Sequence, residues 1–163
     1  MPITLSIAQF HKHGASNNTL YWCLAATTPG TKVVQAFELV GDNHQFGINT
    51  KNINLSKSTS LCGGCYIGEA QDDSLEWIAT RIRGVPVLNG EPGWRNSNWA
   101  MEAVRELQQE QRENASNPRV KILPEISLKT VAEELKEEFS IAELGDPHFY
   151  DRFFATQAGQ NQS

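Results

Sequence analysis

The sequence has no apolar run near the ~20 residues that a membrane-spanning helix needs, and no cluster of lysines and arginines. Neither a helical membrane protein nor a surface for nucleic acid or anionic lipid is therefore expected. Cysteine is scarce. Three residues, an odd number, are too few for a disulfide framework and point to a reducing compartment. There is no G-x-G-x-x-G, no P-loop and no G-x-S-x-G, which removes the usual signatures of dinucleotide, nucleoside-triphosphate and serine-hydrolase chemistry. The opening MPITLSIAQF lacks a basic start, a long apolar core and a small-residue cleavage site, so no signal peptide and a cytoplasmic location are expected.

What is present describes an ordinary globular chain. Its 163 residues are 39% hydrophobic and 20% charged, a size that buries roughly two-thirds of its unfolded surface without a metal or disulfide. We expect one α+β domain over residues 1–155, with 156–163 as a disordered tail. Residues 1–100 are charge-balanced, so the whole net charge of −5 comes from residues 101–163. That acidity is spread along helical segments and reads as solvated faces.

Period-two alternation predicts strands at residues 2–9, 20–26 and 33–39, the last two joined as a hairpin by the Pro29-Gly30 turn. Residues 41–59 read as loop with a short strand around residues 44–48. LCGGCYIGEA reads as a further strand whose glycines mark a bulge or a close backbone approach. A helix follows, capped by Asp72 or Asp73, with Leu75, Ile78, Ala79 and Ile82 on one stripe and Gly84 at its end. A second helix runs from near Ser97 to Glu113, with Trp99, Ala103 and Leu107 on its inner face. A third opens at Ser127 with Leu128, Val131, Leu135 and Phe139 inward, and Asp146-Pro147 starts a short last one. Strands first and helices later make an antiparallel sheet packed against helices.

Few residues advertise chemistry. Cys62-Gly-Gly-Cys65 has the spacing of half a zinc site or of a redox pair, but it lies in a strand-like stretch without a second pair. Buried structural thiols are the plainer reading. His11 and His13 would share one side of an extended segment, as two metal ligands can. No carboxylate lies near them in sequence, and solvated loop histidines are the plainer reading. His44 falls in a loop, and His148, in the first turn of the last helix, packs in its neutral form or sits exposed. Trp94 and Trp99 bracket a helix start, where free backbone N–H groups suit an anionic or oxyanionic group, although two tryptophans there can equally close the core. Neither a metal nor a cofactor is expected.

Tyr21-Trp22-Cys23-Leu24, Gly30-Thr31-Lys32, Ile67-Gly68-Glu69-Ala70, Val85-Pro86-Val87 and the run Pro92-Gly93-Trp94-Arg95-Asn96-Ser97-Asn98-Trp99-Ala100 occur in that order. This middle part, about residues 20–107, resembles a fungal family of small domains. That family is similar to a circularly permuted papain-like fold of the lecithin:retinol acyltransferase type. The resemblance implies a catalytic His at position 21 and a Cys nucleophile at position 96, and both are replaced, by Tyr21 and Asn96. Asparagine forms no thiolate and tyrosine is a poor base at neutral pH.

The implied site is thus degenerate. Tyr21, Asn96 and Glu38 are its candidate reacting groups, and Trp22, Gln35, Trp94, Ser97 and Trp99 its ligand contacts. Tyr21 and Asn96 are expected to face each other across a cleft. The expected function is binding of, or a non-hydrolytic acid–base reaction on, a small organic molecule. The alternatives are a thiol or serine hydrolase or acyltransferase, through Cys65 or Ser97, and an interaction module using the acidic C-terminal helices. Because a structural zinc needs four ligands, elemental analysis of protein purified without chelator is expected to find no stoichiometric zinc; one zinc per chain would make Cys23 and a histidine the ligands to find.

Overall fold

Alternating apolar residues become strands because a pleated chain sends successive side chains to opposite faces. The structure, a computed structural model, describes residues 2–11, 20–28, 30, 33–40, 47–54, 61–89, 94 and 96–143. Strands β1 (Ile3–His11), β2 (Leu20–Thr27), β3 (Val33–Val40), β4 (Gly47–Asn54) and β5 (Leu61–Ala70) are followed by helices α1 (Leu75–Arg83) and α2 (Asn96–Glu113), strand β6 (Val120–Ile122) and helix α3 (Leu128–Glu143). The strands form one sheet in the order β4-β3-β2-β1-β5-β6, and every neighbouring pair is antiparallel. The class is α+β, as the order of elements predicts.

The two faces of the sheet differ in chemistry. Ile3, Leu5 and Ile7 of β1, Trp22, Leu24 and Ala26 of β2, Phe37 and Leu39 of β3, and Cys65 and Ile67 of β5 share one face. They form a single core with Ile78 and Ile82 of α1, with Trp99, Ala103, Val104 and Leu107 of α2, and with Val131 and Leu135 of α3. Burial of each large apolar side chain in it contributes about 1.5–3 kcal/mol. The other face carries Ala8, Phe10, Cys23, Ala25, Val34 and Ala36, a smaller cluster built largely on side chains of one or two heavy atoms.

Four expectations are corrected. β4 runs Gly47–Asn54 instead of residues 44–48. It is an edge strand whose polar residues, among them Asn49, Lys51 and Asn52, hide the alternation that an interior strand shows. β6 was not foreseen, because three residues are too short for a periodic signal. The N-cap of α1 is Ser74, with no side-chain capping bond, in place of Asp72 or Asp73. Leu128 is 40% exposed and does not join Val131 and Leu135 in the core. The third helix does begin at a cap, where Thr130 N–H donates to Ser127 Oγ at 3.3 Å. The expected last helix and tail lie outside the described residues.

Gly68 sits where β5 meets β6, opposite Ile122. A Cβ on it would lie 2.1 Å from the Lys121 carbonyl oxygen and 2.9 Å from Ile122 Cα. Both are backbone atoms of a paired strand and cannot swing away. Gly68→Ala is expected to destabilise the fold by about 3 kcal/mol or more, lowering Tm by roughly 6–12 °C in a scanning calorimeter. Gly47→Ala, with nothing within 4 Å of the added carbon, serves as the control that leaves Tm nearly unchanged.

Candidate functional site

Parity along β2 separates the two groups that were expected to meet. Trp22 and Leu24 point into the core beneath α2, so Tyr21 and Cys23 point to the opposite face. Tyr21 stacks there on Phe10, with ring centroids 5.5 Å apart. Asn96 is the first residue of α2 and lies on the first face with the rest of that helix. The sheet stands between them, and the pairing of positions 21 and 96 implied by the resemblance is not made.

Glu38 shares the second face with Tyr21. Direct cross-strand partners place Ala8, Cys23, Glu38 and Asn49 in one row across four strands. Glu38 is 4% exposed, accepts from Asn49 Nδ2 at 3.2 Å, and pairs with Lys51 Nζ at 3.1 Å. Burial first, then the Glu38 carboxylate and the neighbouring Cys23 and Cys62 thiols, push the Tyr21 phenol from 10.0 up to about 12. Burial and Glu38 also push the Cys23 thiol upward. At neutral pH both groups keep their protons. Tyr21 can donate a hydrogen bond but is no base, and Cys23 is no nucleophile.

On the first face, two of the predicted ligand contacts are core residues. Trp99 is fully buried, and its indole N–H has no hydrogen-bond partner among the described residues. Trp22 is 8% exposed, and its Nε1 donates to Gln9 Oε1 at 2.9 Å within the core. Gln35 is half-buried in the row with Leu5, Ala26 and Asn52, its Oε1 enclosed without a partner among the described residues. Asn96 and Ser97 are half-buried in the first turn of α2. Cys65 donates its thiol hydrogen to Glu134 Oε2 at 3.1 Å, which ties β5 to α3. Cys62 and Cys65 are each 1% exposed, the burial that the plainer reading of the CGGC pair expects.

Of the predicted ligand contacts, Trp94 lines an open recess. A cavity of about 410 Å³ lies between the α1–α2 connection, the first turns of α2 and the start of α3. Pro86, Leu88, Trp94, Met101 and Leu128 make its apolar wall, and Asn98, Glu102 and Arg105 its polar side. Arg105 and Glu102 are ion-paired one turn apart on α2. Leu88 and Leu128 are 45% and 40% exposed, two of the three large apolar side chains so exposed among the described residues. Sequence reading missed most of this wall. Its residues come from three separate segments, and none of them carries a spacing that signals a ligand.

Among the described residues no group of three or more His, Cys, Asp or Glu is placed to hold a metal ion, and no helix is long and apolar enough to cross a membrane. No family model, curated protein or solved structure matches this chain.

The raised Tyr21 value predicts a pH window. An unfolded tyrosine ionises near 10.0 and the folded one near 12, so between those values the unfolded chain has released a proton that the folded chain retains. Stability contributed by the neutral phenol is complete below pH 10 and is lost as pH rises toward 12. Phenolate absorbance, taken as the difference between the wild-type protein and Tyr21→Phe, is expected to rise near pH 12. Glu38→Gln should move that rise to lower pH by removing a repelling charge; an unmoved rise would contradict the placement of Glu38 beside Tyr21.

Proposed function

We propose that this protein binds a small organic molecule with an apolar body and a polar or anionic end, seated in the cavity beside Trp94. The observation that carries the proposal is the concave wall formed by Leu88, Trp94, Met101 and Leu128, with Asn98 and Arg105 at one side. A recess of about 410 Å³ is within the range that encloses small ligands, which runs from roughly 300 to 1,000 Å³. Leaving two leucines nearly half exposed in a hollow forgoes about 25 cal/mol for each Å² that a ligand would cover. The guanidinium of Arg105 and the Asn98 side chain offer donors at the rim, which fix the orientation of a ligand that the apolar wall merely holds.

This reading keeps a small organic molecule as the partner and places it at Trp94 on the first face. Asn96 and Ser97, in the same first turn of α2 as Asn98, are not among the residues that line the recess. Binding without a chemical step is the reading favoured because Tyr21 and Glu38 lie on the opposite face of the sheet from this recess.

Fluorescence titration with 8-anilinonaphthalene-1-sulfonate, an aromatic body bearing one anion, tests the proposal. The native protein is expected to bind one equivalent saturably. Leu128→Asp and Leu88→Asp each change an exposed residue and should weaken binding about tenfold or more, the equivalent of one buried leucine. Arg105→Gln should weaken it less, and replacing Cys23, Cys62 and Cys65 with Ser should leave it unchanged. Saturable binding that survives Leu128→Asp and Leu88→Asp, or that vanishes with the cysteines, would refute the assignment.

A further inference from the structure

The opposite end of α2 holds a second recess of different chemistry, with a volume of about 410 Å³. The indole of Trp77, on α1, lies beneath two cations. The Arg81 guanidinium carbon is 5.6 Å and that of Arg119 5.8 Å from the ring centroid. Stacking on an indole stabilises each cation, yet two like charges over one ring repel unless anions are at hand. Arg81 has one, because its Nη2 lies 2.7 Å from Glu106 Oε1. Among the described residues the Arg119 guanidinium has no ion pair.

Three carboxylates line the same recess, and they are not equivalent. Glu110 is 5% exposed and turned inward. It accepts from the Arg119 backbone N–H at 3.2 and 3.4 Å and from Asn114 Nδ2 at 3.1 Å, so it holds the α2–β6 connection. Asp73 and Glu113 are exposed at the rim. Glu113 accepts from Gln109 Nε2 at 2.9 Å, and neither Asp73 nor Glu113 is ion-paired among the described residues. The recess therefore presents an unpaired guanidinium over an aromatic floor, with two unpaired carboxylates at its mouth.

We infer that this recess binds a small zwitterion of the free amino acid class. Its carboxylate lies on the Arg119 guanidinium beside Trp77, and its ammonium faces Asp73 and Glu113. The charge balance selects this class. A phosphate dianion meets three carboxylates against two guanidiniums, and a simple cation meets Arg81 and Arg119. Only a ligand carrying both signs at short separation satisfies both sets of groups. The site is distinct from the apolar cavity, since the two share no lining residue.

Nuclear magnetic resonance of the intact protein tests the inference through the Trp77 indole N–H, assigned by its loss in Trp77→Phe. Glycine, the smallest zwitterion, is expected to shift that signal saturably. Arg119→Gln should weaken glycine about tenfold or more, as expected for the loss of charged hydrogen bonds to a carboxylate. Asp73→Asn should weaken glycine while leaving acetate unweakened, and Leu128→Asp should change neither. Spectral dispersion in each variant confirms that it is folded. The inference is overturned if glycine gives no saturable shift with the wild-type protein, if inorganic phosphate binds more tightly than glycine, or if Arg119→Gln leaves glycine binding intact.

Discussion

The architecture depends on burying one face of the sheet beneath α2. Leu24 and Phe37 of neighbouring strands and Trp99, Ala103, Val104 and Leu107 of the helix are all within the same core and almost wholly removed from water. This non-directional burial is the dominant favourable contribution to such a fold. It sets the height of α2 above the sheet, and alanines at 100 and 103 on its inner side let it approach closely. Once α2 is seated, α1 packs along it and α3 covers β5. The cavity beside Trp94 lies where the start of α3 and the α1–α2 connection meet the first turns of α2.

The second face obeys a different constraint. Ser6, Ala8, Cys23, Ala25 and Ala36 are almost wholly buried, and each offers no more than two side-chain heavy atoms. A charged group on such a face must bring its own partner, because an unpaired buried carboxylate is costly. Glu38 does so through Lys51 and Asn49 of the edge strand. Burial first, and then the negative charge that remains close by, disfavours the ionised forms of Tyr21 and Cys23. Tyr21, whose residue type put it forward for acid–base work, is thereby held in its protonated state at neutral pH.

Helix α2 also separates two recesses of different chemistry. Its first half contributes Met101 and Asn98 to a hollow of apolar character, and its second half contributes Glu110 and Glu113 to one dominated by charge. The acidic excess of the C-terminal region is mostly solvated, as Glu102, Glu133, Glu134 and Glu137 show. Among the described residues of that region, Glu110 is the buried acidic residue. Its carboxylate caps backbone and side-chain donors between α2 and β6, a role that charge counting along the sequence cannot reveal.

Local periodicity determined much of the fold on its own. Alternation located β1, β2, β3 and β5, and stripes at helical spacing located α1, α2 and α3, because those patterns are the direct imprint of a face that must leave water. The turn with Gly30 at a φ of 82° and the Gly84 end of α1 were equally local. The polar edge strand β4 and the three-residue β6 were not legible, since their partners, not their own residues, hold them in place. Which residues share a site was decided by tertiary structure alone. Tyr21 and Trp22 are adjacent in the chain and on opposite faces of the sheet, while Leu88, Met101 and Leu128 are distant in the chain and line one hollow. A pleat reverses direction at every residue, whereas helix packing joins segments of any separation, so adjacency in sequence and adjacency in space part company at the site.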